Sequence, residues 1–485
     1  MAIEDTILTI YLFIMLILFF YGSHGFFMVY LYRKYKSRKF EPPGKFNDLP
    51  KVCIQLPVYN EVYVVDRLIN SVCKINYPKE KLEIQVLDDS TDETSEVLKR
   101  LVQEKKQQGF NIIYHHRDNR AGFKAGALKE GLEMTDAEFI AIFDADFIPN
   151  PEFLNKTIHY FTNPKVGLVQ TRWEHMNSEY SLLTRAQALA LDGHFIMEQQ
   201  LRNKAGFFIN FNGTAGIWRK ACIIDAGNWQ PDTLTEDLDL SYRAQLRGWK
   251  FIFLNDFTSP AELPIEINAL KNQQFRWTKG AVETAKKILP LVWKSKIPLK
   301  LKLYSTFHLT MNIAYPFIFL AGLLNVPLVY IKNTGNYDEY FAFMSIFVLA
   351  FISSFLFYLY SQKDVYPDWT RRIFLFPVYM AGSMGFALNN TRAVIEGLLN
   401  KKSEFVRTPK FRVEKETDHF KKKKYAPRKI SMTVVFELLF ALWTLFGIGL
   451  AAYYSEIAAI PFLSMYCLGY MVIAFLSIKH ALESK

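Results

Sequence analysis

Cysteine is scarce in this sequence, which has four cysteines among 485 residues and no CxxC spacing. Cysteines at such spacings provide no framework for disulfide pairing, so a small disulfide-stabilised fold is excluded. We expect these residues to pack in a protein core or between membrane helices, in a reducing compartment. They are Cys53, Cys73, Cys222 and Cys467.

Two common phosphate-binding motifs are missing as well. The chain has no GxxxxGK[ST] sequence, and this excludes a P-loop nucleoside triphosphatase. No GxGxxG sequence follows the first predicted strand, which disfavours an oxidoreductase that uses a dinucleotide. A nucleotide bound by this protein must therefore be held by a different arrangement of residues.

The net charge of +11 would suit a nucleic-acid partner, but its distribution indicates a membrane instead. Basic residues that flank apolar spans usually mark the cytoplasmic side of a bilayer. We therefore predict a lipid bilayer and no nucleic acid as a partner. The basic residues beside apolar spans are Arg33, Lys34, Lys36, Arg38, Lys39, Lys401, Lys402 and the run 421–424.

Long apolar stretches at both ends of the chain predict a multi-pass protein of an inner, plasma or Golgi-type membrane. The first stretch, within residues 1–32, can cross a bilayer and is too long for the core of a secretory signal. A basic linker with prolines follows at 33–50, and 286–302 mixes lysines with apolar residues like a helix at the membrane surface. Four more spans are predicted near residues 303–330, 340–360, 431–453 and 457–478.

The stretch 373–399 is predicted to lie at the membrane surface rather than to cross it. It contains Asn389, Asn390, Arg392 and Glu396, which are costly inside a bilayer. A crossing here would also put the following basic loop outside, against the usual distribution of positive charge. The expected topology therefore has five membrane helices, with the N-terminus outside and the C-terminus and the central domain in the cytosol.

Residues 51–285 are predicted to form an α/β domain. Apolar runs such as VCIQLPVY, LEIQVLDD, NIIYHH, EFIAIFDAD and VGLVQT have the length and composition of buried strands, and helix-like segments separate them. This alternation is typical of an open, mostly parallel sheet. Ligands of such sheets bind at the carboxyl ends of the strands, so residues at these ends are the candidates for chemistry.

Acidic residues follow two of the predicted strands. Asp144 and Asp146 flank one alanine after an apolar strand, where alternation would direct both carboxylates to the same side. Two close carboxylates repel unless a cation separates them, and Mg²⁺ or Mn²⁺ is commonly held by few carboxylates together with substrate phosphates. Asp88 and Asp89 end an earlier strand, where Ser90 and Glu93 have the spacing of a helix capping box.

A metal ion that is held by few carboxylates usually also binds a phosphate group of the substrate, and the sequence contains a candidate phosphate-binding segment. Lys124 stands near the predicted start of a helix that follows a glycine-containing turn, and a helix N-terminus attracts anions. These features fit a nucleoside diphosphate that carries a sugar. Glu236 and Asp237 open a later helix, and either is a candidate for the base of an inverting sugar transfer, unless they serve only to cap that helix.

Two further segments suit the binding of the diphosphate and of a sugar. Asn212 and Gly213 form a turn at which the backbone can approach a sugar closely. Gln273 and Arg276 can donate hydrogen bonds to a diphosphate, and Trp277 offers a flat apolar surface to a sugar ring. A tryptophan in the core beside a surface arginine is the simpler interpretation of the last pair, taken alone.

Together these segments resemble the cellulose synthase superfamily of inverting family-2 glycosyltransferases. The motifs LPVYNE, VLDDSTDET, KAGALKEG, FIAIFDADF, FNGTAGIWR, TEDLDL and QQFRW occur in the order that this family has. The sequences of these motifs are most similar to those of the cellulose-synthase-like A branch, the mannan and glucomannan synthases, and of its bacterial relatives. The resemblance implies a GT-A catalytic domain over residues 51–285 beneath a membrane channel, formed by 303–485, for the growing polymer.

The resemblance also implies roles for individual residues. The segment 403–412 contains FVRTPK, which is similar to the gating loop F-x-V-T-x-K of the family, with Arg407 where the family has valine. Carried over by motif, the implied donor contacts are Tyr59, Glu61, Asp88, Asp89, Lys124, Asp144, Gln273 and Arg276, and the implied metal ligands are Asp144 and Asp146. The implied general base is Asp237, with Glu236 as the second candidate. The implied acceptor contacts are Trp277, Asn212 and Gly213, and the implied gating residues are Phe405, Thr408 and Lys410.

Three functions remain open from the sequence. The first is a processive synthase that polymerises sugar from GDP-mannose or UDP-glucose into a β-linked mannan, glucomannan or glucan and threads it across the membrane, with possible oligomers or export proteins as partners. The second is a non-processive transferase with a lipid acceptor, similar to ceramide glucosyltransferase. The third is a transporter with an inactive domain, which the intact acidic residues disfavour. With one helix before the catalytic domain and no cyclic-dinucleotide domain after the last helix, regulation by cyclic di-GMP is not expected.

Overall fold

The computed structural model describes residues 2–403, 406–413, 418, 423–425 and 431–483. Its described part consists of an α/β domain and a set of long helices formed by both ends of the chain. The strands, in chain order, are β1 (Val52–Val58), β2 (Leu82–Asp88), β3 (Ile112–His116), β4 (Phe139–Ile142), β5 (Val166–His175), β6 (Gly216–Arg219) and β7 (Lys250–Ala261).

The seven strands form one sheet in the order β3-β2-β1-β4-β6-β5-β7. The pairs β1–β2, β1–β4, β2–β3 and β5–β7 are parallel, while β6 is antiparallel to both of its neighbours. The predicted α/β fold with an open, mostly parallel sheet is therefore confirmed. All five strands named from the sequence are present, and β6 and β7 are additional.

The central strands are apolar on both sides because helices cover both faces of the sheet. In β1, Val52, Ile54 and Leu56 pack into one hydrophobic cluster, while Cys53 packs into the cluster on the opposite face. A strand buried on both faces gives a continuous apolar run in the sequence, which is the pattern that predicted β1, β2 and β4.

The helices number twenty within the described residues, apart from short 3₁₀ turns and one π-helical segment. The first eleven are α1 (Ala2–Gly22), α2 (His24–Tyr35), α3 (Val65–Val72), α4 (Thr94–Gln107), α5 (Phe123–Glu133), α6 (Phe153–Thr157), α7 (Leu182–Asp192), α8 (Gln200–Ala205), α9 (Lys220–Asp225), α10 (Glu236–Leu246) and α11 (Ile267–Lys294). The others are α12 (Leu299–Thr310), α13 (Ala314–Thr334), α14 (Asp338–Met344), α15 (Val348–Val365), α16 (Trp369–Arg372), α17 (Phe376–Gly385), α18 (Ala387–Leu398), α19 (Thr433–Tyr453) and α20 (Ile460–Glu483).

Five helical stretches among the described residues are long and apolar enough to cross a membrane. Their number agrees with the five membrane helices predicted from the sequence. The segment 373–399, predicted to lie at the membrane surface, is not among them and is divided mainly into α17 and α18. The five stretches are Ile3–Tyr35, Leu299–Thr334, Asp338–Val365, Thr433–Tyr453 and Ile457–Glu483.

The long helix α11 joins the two parts of the protein. It runs without a break past residue 285, where the sequence analysis ended the catalytic domain, and it stops at Lys294. The proposed surface helix over 286–302 is therefore divided between the end of α11 and the start of α12. The reason is that Pro298 precedes α12 and the chain turns between the two helices, while Pro290 is accommodated inside α11.

Both the start and the first turns of α11 are anchored. The Glu266 carboxylate accepts hydrogen bonds from the backbone N–H groups of Asn268 and Ala269, which would otherwise lack partners at a helix N-terminus. One turn later the Lys271 ammonium and the Glu437 carboxylate of α19 form a buried pair at 2.5 Å. These contacts fix α11 between the sheet and the membrane-type helices.

Candidate active site

A cavity of about 180 Å³ lies at the carboxyl ends of the strands and against α11. It brings together residues from segments that are far apart in the sequence. Among the predicted site residues, those that line it are Tyr59, Glu61, Asp89, Lys124, Asp144, Asp146, Asn212, Gly213, Glu236, Asp237, Gln273, Arg276, Trp277, Thr408 and Lys410. Asp88 does not line it, and Phe405 lies outside the described residues.

Asp144 and Asp146 both reach the cavity, but not by the alternation that the sequence analysis used. Strand β4 ends at Ile142, so both residues lie in the turn that follows it. The hydroxyl of Thr214 accepts a hydrogen bond from the Asp144 backbone N–H at 2.9 Å and holds this turn. The direction of the two side chains is therefore set by the turn and its partners rather than by the strand.

Each of these carboxylates has a lysine as its partner. The Lys124 ammonium contacts the Asp144 carboxylate, and the Lys410 Nζ lies 2.7 Å from Oδ2 of Asp146. Both lysines were predicted as site residues, from a helix start and from the gating-type loop. The two carboxylates attract positive charge from two separate segments, and a divalent cation would be attracted in the same way.

Lys124 stands in the first turn of α5, as the sequence predicted. Gly122 precedes the helix with a φ of 69°, a left-handed conformation that glycine adopts without strain. The Lys124 ammonium also donates a hydrogen bond to the Gly213 carbonyl at 3.0 Å. Burial lowers the pKa of Lys124, but the carboxylates around it, Asp144 first, raise it by more, so the ammonium form is favoured.

Glu236 and Asp237 form the first turn of α10 and line the cavity. Burial, followed by the negative charge of Glu236, raises the pKa of the Asp237 carboxyl to about 7. Burial also raises the pKa of Glu236. The Thr235 side chain caps nothing here and bonds to the hydroxyl of Thr284 at 3.0 Å. A carboxyl group with a pKa near neutrality suits a general base.

Close packing brings Asp237 against the Asn212–Gly213 turn. Gly213 has a φ of 81°, and a Cβ there would lie 3.1 Å from Oδ2 of Asp237. A larger residue at position 213 would therefore be strained and would crowd the carboxylate. The glycine in the FNG motif leaves room for the acid, and the same turn faces the cavity.

The QQFRW segment lies on α11, where Gln273, Arg276 and Trp277 have the spacing of one helix face. All three line the cavity. Burial lowers the pKa of the Arg276 guanidinium, whereas the negative charges of the neighbouring carboxylates, Glu236 first, act in the opposite direction. The arginine thus lies beside the acids of α10, and the tryptophan is not a residue of the closed core.

The motif YNE contributes an aromatic ring and an acid. The guanidinium of Arg120 stacks on the Tyr59 ring, with Cζ 3.4 Å from the ring centroid. Arg407 contacts the same motif: its Nε is 3.2 Å from Oε1 of Glu61, and its Nη1 donates to the Tyr59 carbonyl at 2.6 Å. Burial raises the pKa of Glu61 to about 7, although the charge of Arg407 opposes this shift.

Asp88 and Asp89 have different surroundings. Asp89 lines the cavity, and Arg117 binds both of its oxygens at 2.7 and 2.6 Å. Asp88 is fully buried and accepts hydrogen bonds from the hydroxyls of Ser95 at 2.6 Å and Tyr114 at 2.7 Å. Its side chain therefore supports the loop from within, and the structure does not bring it to the cavity that the other predicted donor contacts share.

The predicted capping box of Ser90 and Glu93 is not formed. Helix α4 begins at Thr94, and the Glu93 side chain makes no capping hydrogen bond. The Ser90 hydroxyl instead accepts from the backbone N–H of Asn60 at 2.8 Å. The serine joins the loops after β1 and β2, a contact between segments that a local capping pattern cannot reveal.

The structure describes residues 403 and 406–412 of the gating-type loop, and part of this segment borders the cavity. Thr408 and Lys410 line the cavity, and the Lys410 ammonium also donates to the Glu262 carbonyl at 2.8 Å. The Glu262 carboxylate accepts from the backbone N–H of Phe411 at 3.0 Å. Sequence reasoning missed Glu262, although it is an acid directly after a strand, because β7 itself was not predicted.

A second, larger cavity of about 590 Å³ lies between the membrane-type helices. Its wall is mostly apolar and aromatic, with hydroxyl and amide groups at intervals. Its polar lining residues include Tyr11, Tyr21, Glu198, Asn312, Tyr315, Asn325, Ser354, Tyr358, Tyr379, Ser383 and Tyr466. The resemblance implies a channel in this region, but the sequence does not reveal which residues line it, because their spacing in the separate helices shows no common pattern.

Comparison with known proteins identifies the family. The profile of the "Glycosyltransferase like family 2" matches residues 50–280. Glucomannan 4-beta-mannosyltransferase 1 of Cyamopsis tetragonoloba is 38% identical over 400 residues, which cover 78% of this chain and 72% of that protein. The chain belongs to glycosyltransferase family 2. Within the family it is a member of the cellulose-synthase-like A branch, and the resemblance noted from the sequence is confirmed.

Two further comparisons agree with this result, one in sequence and one in fold. Glucomannan 4-beta-mannosyltransferase 2 of Arabidopsis thaliana is 42% identical over 303 residues, which are 60% of this family-2 chain and 55% of that relative. The mannosyltransferase PcManGT of Pyrobaculum calidifontis, solved in complex with GDP-Man and Mn²⁺, matches with a TM-score of 0.56 and 17% identity, covering 80% of this chain and all of the other. The solved structure shows a shared GT-A fold, and the chain is a glycosyltransferase enzyme.

Proposed function

We propose that this family-2 enzyme polymerises mannose from GDP-mannose into a β-linked mannan or glucomannan and passes the polymer into the cavity between its membrane-type helices. The observation that carries the proposal is the convergence of an acid of raised pKa, two cations and an indole on one cavity: Asp237, Lys124, Arg276 and Trp277. The mannosyltransferase names of the relatives and the GDP-Man bound by PcManGT favour mannose over glucose, while UDP-glucose remains a second donor for a glucomannan.

The proposed reaction is a single inverting displacement. Asp237 takes the proton from a hydroxyl of the acceptor sugar, the hydroxyl oxygen attacks the anomeric carbon, and the bond from this carbon to the diphosphate breaks. The nucleoside diphosphate leaves with the electron pair of that bond. Lys124, Arg276 and Gln273 are the proposed partners of the leaving diphosphate, because charged donors near developing negative charge lower the barrier. Tyr59, Glu61 and Asp89 are the proposed contacts of the nucleoside.

The site suits a divalent cation such as Mn²⁺ or Mg²⁺ beside the donor. Such an ion would neutralise the diphosphate as the bond to the sugar breaks. Among the described residues, no group of three or more acidic, histidine or cysteine side chains is close enough to hold a metal alone. The oxygen ligands would therefore come from Asp144 and Asp146 together with the phosphates, as is common for Mg²⁺.

The acceptor is proposed to lie on the side of α11 and of the second cavity. The Trp277 indole offers a face for a sugar ring, and the Asn212–Gly213 turn offers its backbone and an amide beside Asp237. The second cavity has aromatic rings and hydroxyl groups, a lining suited to a sugar chain. A polymer extended at the first cavity would move into the second as each sugar is added.

The proposed orientation follows from the donor. Nucleotide sugars are cytosolic, so the catalytic domain and the gating-type loop with Phe405, Thr408 and Lys410 are proposed to lie on the cytosolic side. In the structure Lys410 and Arg407 bind Asp146 and Glu61. A donor and its cation would compete with these cations, and this competition gives the loop a reason to move when the donor binds.

The test is a donor panel with the purified protein in detergent. GDP-mannose, UDP-glucose and UDP-N-acetylglucosamine are supplied in turn with Mn²⁺, and released nucleoside diphosphate and product size are measured. We expect GDP release with GDP-mannose and a product of high molecular weight that a β-mannanase degrades. The matched controls are D237N, in which diphosphate release should fall at least about a hundredfold, and D232N at an exposed position, which should keep the wild-type rate. A labelled lipid in place of polymer would favour the non-processive alternative, and no diphosphate release from any donor would contradict both.

A further inference from the structure

A π-helical segment, Gly193–Gln199, separates α7 from α8 and lies between the two cavities. It packs closely against the membrane-type helix α15, because a Cβ on Gly193 would lie 2.6 Å from Cε1 of Tyr358 and 2.8 Å from the Phe357 ring. π-helical segments interrupt the regular hydrogen bonding of a helix and are frequent at functional sites. The proposed reaction gives this one no role, although it carries titratable side chains.

Four side chains form a network of hydrogen bonds that joins this segment to the cavity of the candidate active site. Asn212 lines that cavity, and its Nδ2 donates to Nε2 of His194 at 3.0 Å, while its Oδ1 accepts from Nε2 of Gln199 at 2.6 Å. Because Nε2 of His194 accepts, the proton of the neutral ring is on Nδ1, which donates to Oε2 of Glu198 at 3.3 Å. The carboxylate thereby fixes both the histidine tautomer and the amide orientation.

Glu198 lines the second cavity. Among the described residues, His194 alone donates a hydrogen bond to its carboxylate, and it does so to one of the two oxygens. Although burial raises the pKa of Glu198, the hydrogen bond from His194 and nearby positive charge, including that of Arg202, lower it by more, to about 2. An ionised carboxylate thus stands at the wall of an otherwise mostly apolar cavity with an oxygen available for a donor.

We propose that Glu198 binds a hydroxyl group of the acceptor glycan at the junction of the two cavities, and that His194 is a positioning residue that orients Glu198 and Asn212 together. A carboxylate only accepts hydrogen bonds, and sugar hydroxyls are the donors that a glycan in this cavity would bring. The inference rests on the proposed function in one respect, namely that the acceptor is a glycan that enters the second cavity.

The first experiment measures acceptor binding without turnover. Binding of β-1,4-linked mannohexaose to the purified protein in detergent, without donor, is measured by isothermal titration calorimetry. We expect E198Q to weaken binding about tenfold, because a hydrogen bond to a charged group is replaced by one to a neutral amide. The control is E179Q, since Glu179 is an exposed acid that pairs with Arg185 at 3.0 Å. Equal affinity of the wild type and E198Q would overturn the proposal, and so would wild-type protein that binds no hexaose.

The second experiment separates positioning from folding. H194Q keeps one donor and one acceptor, whereas H194F keeps neither, so acceptor affinity should fall less in H194Q than in H194F. With GDP-mannose as donor, the KM for mannohexaose should rise in E198Q and H194F while the KM for GDP-mannose stays within twofold of the wild type. A parallel rise of both KM values, or equal losses in H194Q and H194F, would indicate a general structural defect and overturn the proposal.

The two experiments distinguish the possible failures. Hexaose binding that depends on Glu198, together with no transfer from GDP-mannose, would contradict the proposed donor and leave the acceptor site established. Polymer formation from GDP-mannose with unchanged acceptor KM in E198Q would contradict the acceptor site alone. Size-exclusion profiles and thermal unfolding of each variant in detergent must match the wild type for these comparisons to apply.

Discussion

The two cavities of this enzyme differ in what lines them and in how the chain builds them. The cavity of the candidate active site is small, about 180 Å³, and is lined by at least seven acidic and five basic side chains from loops at strand ends, from helix starts and from α11. The other cavity, about 590 Å³, is formed by long helices and lined mostly by apolar and aromatic side chains. The first lining suits the transfer of charge and protons, and the second suits the passage of an uncharged chain.

The α/β domain and the membrane-type helices also differ in how their elements pack. The α/β domain has large clusters of buried apolar side chains on both faces of its sheet. The membrane-type helices have small clusters and rely on close backbone contacts, as at Gly469, where a Cβ would lie 2.0 Å from the carbonyl oxygen of Ala381. Small residues at helix contacts are typical of membrane proteins, where lipid removes the hydrophobic gain of burial. Substitutions around the first cavity should therefore mainly change the rate of sugar transfer, and substitutions around the second cavity should mainly change the length of the product.

The largest effect is expected at the carboxylates after β4. D146N should reduce transfer below detection and weaken donor binding, because the divalent cation that would neutralise the diphosphate would lose a charged oxygen ligand. Transfer rate and GDP affinity are measured with Mn²⁺, after chelation with EDTA, and after the metal is restored. D136N, at an exposed carboxylate paired with Lys51, is the control. Full activity of D146N, or of wild type in excess chelator, would contradict the metal assignment.

The second largest effect is expected at Asp237, the proposed general base. D237N should keep the donor affinity of the wild type and lose about 10²- to 10⁴-fold in turnover, the usual contribution of a general base. Pre-steady-state transfer and equilibrium binding of GDP-mannose give the two quantities. If donor affinity falls while turnover is unchanged, Asp237 is a donor contact and Glu236 becomes the candidate base.

The pH dependence tests the electrostatics of the same cavity. The pKa of Asp237 is raised to about 7 by burial and by Glu236, so its base form increases as pH rises through neutrality. Turnover should rise over this range and fall about tenfold for each unit below it. E236Q removes the negative neighbour, lowers the pKa of Asp237 and moves this limb to lower pH. A limb that stays in place in E236Q would show that another group limits the rate.

A smaller effect on chemistry is expected from the second cavity. S383W places an indole in its wall, which should shorten the polymer while GDP release with a short acceptor stays within a few-fold of the wild type. Product length is measured on a sizing column. L442W, at a position of α19 that is 62% exposed, is the matched control and should leave the length unchanged. Unchanged polymer length in S383W would contradict the proposed path.

The last prediction concerns topology rather than activity. A cysteine in place of Ser403, the first residue of the gating-type loop, should react with a membrane-impermeant thiol reagent only after the cells are opened. A cysteine at Tyr337, in the connection between α13 and α14, should react in intact cells. Labelling of position 403 in intact cells would mean that the segment 373–399 crosses the membrane, and the gating-loop assignment would fall with it.

The sequence predicted the features that depend on residues close to one another along the chain. Runs of apolar residues gave β1 to β5 and the five membrane-type helices, because burial on both faces and the length of a bilayer each leave a continuous local pattern. Acidic and basic residues at strand and helix ends gave most of the lining of the catalytic cavity, since the carboxyl ends of parallel strands meet at one edge. β6, with the sequence GIWR, and β7, with polar interruptions, lack such a continuous apolar run.

Only the tertiary structure decided which of these residues meet. The contact of Lys410 with Asp146 joins positions 264 apart, and the close approach of Gly213 to Asp237 depends on a turn that packs against a helix start. Asp88 and Asp89 are adjacent in sequence, yet one is locked inside by Ser95 and Tyr114 while the other lines the cavity. Local patterns fix the period and the burial of an element, but the direction of a side chain beyond the end of a strand is set by partners from distant segments.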